Sequence, residues 1–194
     1  MQKALRYGSW AAIAVMTLLV AVYIFTRDKT PPMATGEPFG VPFAAVDHKG
    51  QPITEAAFRG RPSALFFGFT FCPEVCPTTL SDVAGWLDEL GEEGKDLQVY
   101  FVTVDPERDT PEVMAEYVAS FSDRIVGITG EPAAMKEMYK GFYIYTNRVE
   151  QGDDYTMDHS ASLFLLDAQG RMKSTISYQE NEEVALTKLR NLLK

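Results

Sequence analysis

Apolar and polar positions follow three different rhythms along these 194 residues. Near the amino terminus, residues 7–26 carry no charge and residues 10–25 are almost wholly apolar, long enough to cross a bilayer as one helix. Lys3 and Arg6 precede the run as in a secretory signal, but no small-x-small cleavage site follows Phe25, so the segment reads as an uncleaved transmembrane anchor. The short stretch 1–6 then lies on the inner, cytoplasmic or matrix side. Residues 27–38 hold three prolines and no apolar periodicity and read as a linker.

Beyond the linker, residues 39–194 read as one domain in which short apolar runs alternate with helical spacing. Residues 41–46 and 51–53 flank the turn Asp47-His48-Lys49-Gly50 and predict a hairpin, with His48 a turn residue. Residues 63–69 (SALFFGF) are continuously apolar and too short for a helix, as expected of a central strand buried on both faces. Pro77 stands at a favourable first helical position, and Leu80, Val83, Ala84, Leu87 and Leu90 recur at helical spacing before Gly91. Residues 97–104 predict a second buried strand, and Thr110-Pro111-Glu112 opens another helix. A short strand over 125–128 and a short helix over 132–139 follow, while 142–148 is ambiguous between strand and loop. Residues 162–166 and 172–177 flank Asp167-Ala-Gln-Gly170 as a hairpin, and Asn181 caps a last helix. This order gives an α/β domain with a mixed central sheet flanked by helices, the order of the thioredoxin-like fold, with the amino-terminal hairpin as an extension.

Composition narrows the partners. At 46% hydrophobic residues the chain has ample material for one core. From residue 30 onward fourteen Lys and Arg face twenty-six Asp and Glu, a formal charge of −12, so nucleic acid is excluded as a partner. Such an acidic surface serves solubility first, and a basic partner or a cation second.

The candidate chemistry lies in Phe69-Thr-Phe-Cys-Pro-Glu-Val-Cys-Pro77, between the end of the central strand and the start of a helix, where open α/β sheets bind ligands. A helix amino terminus favours the thiolate, which is both nucleophile and metal ligand. With Cys72 and Cys76 four residues apart, both sulfurs reach one metal or each other, as a chelate or a disulfide. A purely stabilising disulfide is the weaker reading, because so short a loop removes little chain entropy. A metal needs a third ligand, and the chain offers only His48 and His159 as histidines. His159 precedes the strand at 162–166, which neighbours the central strand in this topology, so its loop approaches the cysteines. No proline occurs from residue 151 to 171, where a reductase of this fold places one facing its thiols. Two thiolates and an imidazole form a soft three-coordinate set that suits Cu(I) and accepts Cu(II), whereas structural zinc takes four protein ligands. Asp158, beside the histidine, and Asp105, at the same sheet edge, are candidates for orienting the ligands. The eight methionines are scattered; Met135 and Met138 have core spacing and only Met157 lies near the site.

At FGFTFCPEVCPTTL, VTVDPERDTP and YTMDHSASLFLLD, in that order and behind an amino-terminal anchor, the sequence resembles the Sco (SenC) family of copper-binding oxidase assembly proteins. The likeness covers most of residues 35–194. It implies that Cys72, Cys76 and His159 bind copper, and that the protein is a metallochaperone rather than an enzyme, serving the binuclear copper centre of cytochrome c oxidase subunit II. It also implies a copper donor protein, and a thioredoxin-like reductant that resets the cysteine pair. The domain is then expected in the periplasm, or facing the mitochondrial intermembrane space. A thiol-disulfide reductase that keeps the oxidase cysteines reduced, and a redox or copper sensor, are the alternatives using the same pair.

Overall fold

The computed structural model describes residues 15–18 and 37–194. The anchor expected over 7–26 and the linker over 27–38 therefore lie outside the described residues, apart from a helical stretch at 15–18 and the last two linker residues. Among the described residues no helix is long and apolar enough to cross a membrane.

Nine strands and four α-helices follow one another from Ala45. Strands β1 (Ala45–Asp47) and β2 (Pro52–Ile53) form the expected hairpin. Its turn is held by Asp47, whose Oδ1 accepts from the backbone N–H of Lys49 and of Gln51, both at 2.8 Å. The central strand β3 (Ser63–Gly68) is buried at all six positions, which explains its unbroken apolar sequence. It pairs in parallel with β4 (Gln98–Thr103), which pairs in parallel with β5 (Ile125–Thr129). On its other side β3 pairs antiparallel with β8 (Leu163–Leu166), which forms a hairpin with β9 (Met172–Ile176). The mixed seven-stranded sheet has the order β2-β1-β5-β4-β3-β8-β9.

Helix α1 (Val75–Leu90) starts two residues earlier than the position of Pro77 suggests, so Cys76 lies in its first turn. Helix α2 (Pro111–Ala119) is capped by Thr110, whose Oγ1 accepts from the N–H of Val113, and packs on β5. Helix α3 (Pro132–Gly141) precedes the ambiguous segment. Helix α4 (Glu182–Leu192), capped by Asn181 as expected, packs against β8, β9 and α1. Phe66 and Phe67 point to opposite faces of β3. Phe67 joins an aromatic cluster with Phe142 and Phe164, while Phe66 faces Phe101 and His159.

The largest departure from the sequence reading lies at 146–159. It is neither loop nor ambiguous but a separate two-stranded ribbon, β6 (Thr146–Gln151) paired antiparallel with β7 (Asp154–His159). The ribbon shares no ladder with the main sheet. β6 is polar and mostly exposed, and β7, half-buried at four of its six positions, turns inward a tyrosine, a methionine and a histidine rather than an aliphatic series, so the apolar alternation that reveals half-buried strands is faint.

Candidate metal centre

Each candidate ligand is placed by a different element. The chain leaves β3 at Gly68 and turns back at once, with the Cys72 N–H donating to the Phe69 carbonyl at 3.2 Å. Beneath this turn lies the carboxylate of Asp109, fully buried. It accepts from the backbone N–H of Thr70 at 3.1 Å, from the Thr70 hydroxyl at 2.6 Å and from the Thr103 hydroxyl at 2.5 Å. Burial raises its pKa, opposed by those same threonine donors. Asp109 thereby fixes the residues immediately before Cys72. The sequence reading missed it, although it stands within VTVDPERDTP.

Cys76 is buried and Cys72 half-buried, and both are free thiols. The Cys76 N–H, in the first turn of α1, donates to the Cys72 sulfur at 3.4 Å. Gly68 permits this packing, because a Cβ there would stand 2.7 Å from the Cys76 Sγ and 2.7 Å from the Phe101 ring. A hydrogen bond from the Cys76 side chain draws the Cys72 thiol down to about 4, against the opposing effect of burial, with the His159 side chain and the Cys76 backbone N–H also favouring the thiolate. The same hydrogen bond, together with burial and the negative charge on Cys72, pushes Cys76 up. At neutral pH the pair therefore holds one proton, on Cys76, and presents one thiolate at Cys72.

His159 ends β7. Its Nε2 lies 3.6 Å from the Cys76 Sγ, and its ring packs against Phe66 and Phe69 at interplanar angles of 69° and 90°. Its Nδ1 lies 2.9 Å from the Ser160 carbonyl oxygen. A carbonyl only accepts, so Nδ1 carries a proton there, and this bond turns Nε2 toward the sulfurs. The three ligand atoms of Cys72, Cys76 and His159 all lie within 4.8 Å of one another, the only such group of three metal-ligating side chains among the described residues. Metal–sulfur and metal–nitrogen bonds of about 2.3 and about 2.0 Å at trigonal angles separate the two ligand atoms by about 3.7 Å. The Cys76–His159 spacing of 3.6 Å thus fits one shared ion.

The remaining candidates fall elsewhere. His48 accepts from the Gly127 N–H at 3.0 Å and belongs to the β1–β2 turn, as expected. Asp158 is exposed, and the imidazole is oriented by the Ser160 carbonyl in its stead. Neighbouring strand residues face opposite ways, so Asp158 and His159 cannot share a face of β7. Asp105 is buried but accepts from Arg108 Nε at 2.5 Å and Tyr155 Oη at 2.8 Å, so its link to the centre runs through the ribbon. Met135 and Met138 are core residues, and Met157 packs against the core from β7.

A mixed sheet with its reactive cysteines at the exit of the central strand and the start of a helix, faced by a histidine, defines a thioredoxin-like domain with a soft-donor metal centre. The chain belongs to the SCO1/SenC family, whose model matches residues 31–194. It is 30% identical to Protein SCO2, mitochondrial, of Saccharomyces cerevisiae, over 97% of this chain and 68% of that protein. Among solved structures it resembles Bradyrhizobium japonicum ScoI with copper bound at 36% identity and a TM-score of 0.74, covering 79% of this chain and 99% of that one. It likewise resembles yeast Sco1 with copper bound at 34% identity and a TM-score of 0.72, covering 79% and 87%.

Proposed function

We propose that this chain is a membrane-anchored copper metallochaperone that holds one copper ion through Cys72, Cys76 and His159 and passes it to the binuclear copper centre of cytochrome c oxidase subunit II. The observation that carries the reading is the convergence of the three ligand atoms within 4.8 Å, in a fold whose relatives have been solved with copper bound. Copper is the cargo in this scheme. The lowered pKa of Cys72 supplies a thiolate at neutral pH, and the Cys76 proton is displaced as the ion binds. The hydrogen bond from Nδ1 of His159 to the Ser160 carbonyl holds its Nε2 toward the sulfurs. Residues 7–26 would hold the domain on the outer face of the membrane, close to a membrane-bound recipient.

The test is a Cu(I) titration of the reduced protein against a competing chelator, followed by incubation with the copper-free domain of an oxidase subunit. One tight equivalent is expected, weakened about tenfold or more in Cys76→Ser and His159→Ala, with copper appearing in the acceptor. Binding indifferent to His159 would overturn the reading.

A second reading rests on the split of the two thiols, one lowered and one raised, which is the arrangement of an attacking and a resolving cysteine. As a reductase, Cys72 would attack a partner disulfide and Cys76 would release it, leaving two partner thiols and a Cys72–Cys76 disulfide. Reduction of a partner disulfide that survives His159→Ala without metal would favour this reading.

A further inference from the structure

The ribbon that delivers His159 shares no ladder with the main sheet, and an isolated two-stranded hairpin is marginal in water. Something other than sheet hydrogen bonds must therefore set where its histidine stands. Tyr155, Met157 and His159 share one face of β7, since side chains repeat every second residue. Met157 meets the core and His159 meets the cysteines. Tyr155 meets a stack of planar groups. The guanidinium carbon of Arg148 lies 3.5 Å from the Tyr155 ring centre and that of Arg108 lies 3.7 Å from it. Arg108 also lies 4.5 Å from the ring of Phe71, the exposed residue directly before Cys72.

Arg108 is itself fixed on both sides. Its Nε donates to the buried Asp105 at 2.5 Å, and its Nη1 donates to the Tyr155 carbonyl and to Asp154, each at 3.2 Å. Tyr155 Oη donates to the other oxygen of the same Asp105 carboxylate at 2.8 Å. One side chain, rooted on the β4–α2 loop, thus touches the cysteine loop through Phe71 and the histidine ribbon through Tyr155. Planar stacking on two rings together with a charged fork is a geometry that lysine does not reproduce.

We infer that Arg108 is a positioning residue for the metal centre, a staple between Phe71 and Tyr155 that sets the His159 imidazole at ligating distance from the cysteine pair. The inference rests on the copper reading for its functional consequence, but the stapling is testable without metal.

The experiment uses the purified full chain and its Arg108→Ala, Arg108→Lys, Tyr155→Leu, His159→Ala and Arg108→Ala/His159→Ala variants. In the metal-free state, amide exchange across residues 146–159 is expected to quicken in Arg108→Ala while β3 and β4 keep their protection. In the Cu(I) competition titration, Arg108→Ala is expected to weaken binding on the order of tenfold, as loss of a ligand-orienting contact does. Arg108→Lys, which keeps the charge on Asp105 but not the plane, is expected to follow the alanine variant. In the His159→Ala background, Arg108→Ala should change affinity less than about twofold, because the two act through one ligand. The Cu(II) spectrum should lose its nitrogen coupling in Arg108→Ala. Should Arg108→Ala fail to fold, Tyr155→Leu breaks the same stack, leaves the Arg108–Asp105 pair in place and carries the same expectations. Unchanged ribbon exchange, wild-type affinity, or effects that add in the double variant would overturn the positioning role. A wild-type chain that binds no copper, or a His159→Ala chain that binds it equally well, would overturn the copper reading while the exchange result still decides the staple.

Discussion

Replacing Gly68 by alanine tests whether the close approach of Cys76 to the central strand is what shapes the centre. A Cβ at this position would stand 2.7 Å from both the Cys76 Sγ and the Phe101 ring. Relaxed contacts between such atoms lie at about 3.5–4.0 Å, so one neighbour must move by about 1 Å. Neither is free to do so. Cys76 is wholly enclosed, Phe101 is fully buried, and the Gly68 carbonyl accepts from the Val104 N–H at 2.7 Å. Overpacking of this kind costs about 1–3 kcal/mol, which for a domain of this size lowers Tm by about 3–10 °C. A sulfur displaced by about 1 Å should weaken Cu(I) binding about tenfold or more. Gly85 is the control, an exposed position in α1 with nothing within 4 Å of its would-be Cβ. Alanine there should raise stability by about 0.5–1 kcal/mol and leave copper untouched. Thermal unfolding of the metal-free proteins and a chelator competition read both quantities. A Gly68→Ala protein that melts and binds like wild type would refute the packing argument.

Three other outcomes are expected. In the reduced, metal-free protein, alkylation should fall on Cys72 and lose its rate only as the pH drops toward and through about 4, where the thiolate is protonated, while Cys76 stays unmodified; mass spectrometry of the labelled peptides reads this, and preferential labelling of Cys76 would contradict it. Asp109→Ala strips the acceptor from one backbone N–H and two hydroxyls in a buried site, for a loss of about 3 kcal/mol or more in denaturant unfolding. Glu180 is held below the usual carboxylate range by the Lys188 ammonium at 2.5 Å, with help from the Ser177 N–H. A depressed carboxyl stabilises fully above its unfolded value of about 4.3 and loses that contribution as pH falls through the folded one. Lys188→Met should therefore lower stability by about 0.5–1 kcal/mol at pH 7, with the difference closing at strongly acidic pH.

Where apolar burial dictates an element, the sequence displays it. The unbroken run of β3 and the spacing of Leu80, Val83, Leu87 and Leu90 announce a central strand and the helix behind it, because both answer to one core. The two thiols and the nearby histidine were likewise legible, since their chemistry is carried by residue type and their meeting follows from β8 lying beside β3. The ribbon was not legible. Arg148, Glu150, Asp154 and Thr156 give it no apolar period, and its position depends on an arginine stacked between two rings distant in sequence. Asp109 was hidden for a related reason, because a buried carboxylate reads as an ordinary loop acid until Thr70 and Thr103 are seen around it.

The unequal enclosure of the two sulfurs orders access to the centre. Cys76 has no surface of its own, whereas Cys72, directly after the exposed Phe71, and His159 are both partly open. A donor atom from another molecule therefore meets an ion held there on its Cys72 and His159 side and has no path that touches Cys76 first. An ion passed on from such a centre, as proposed above, would leave from the outside inward, its contact with Cys76 the last to break.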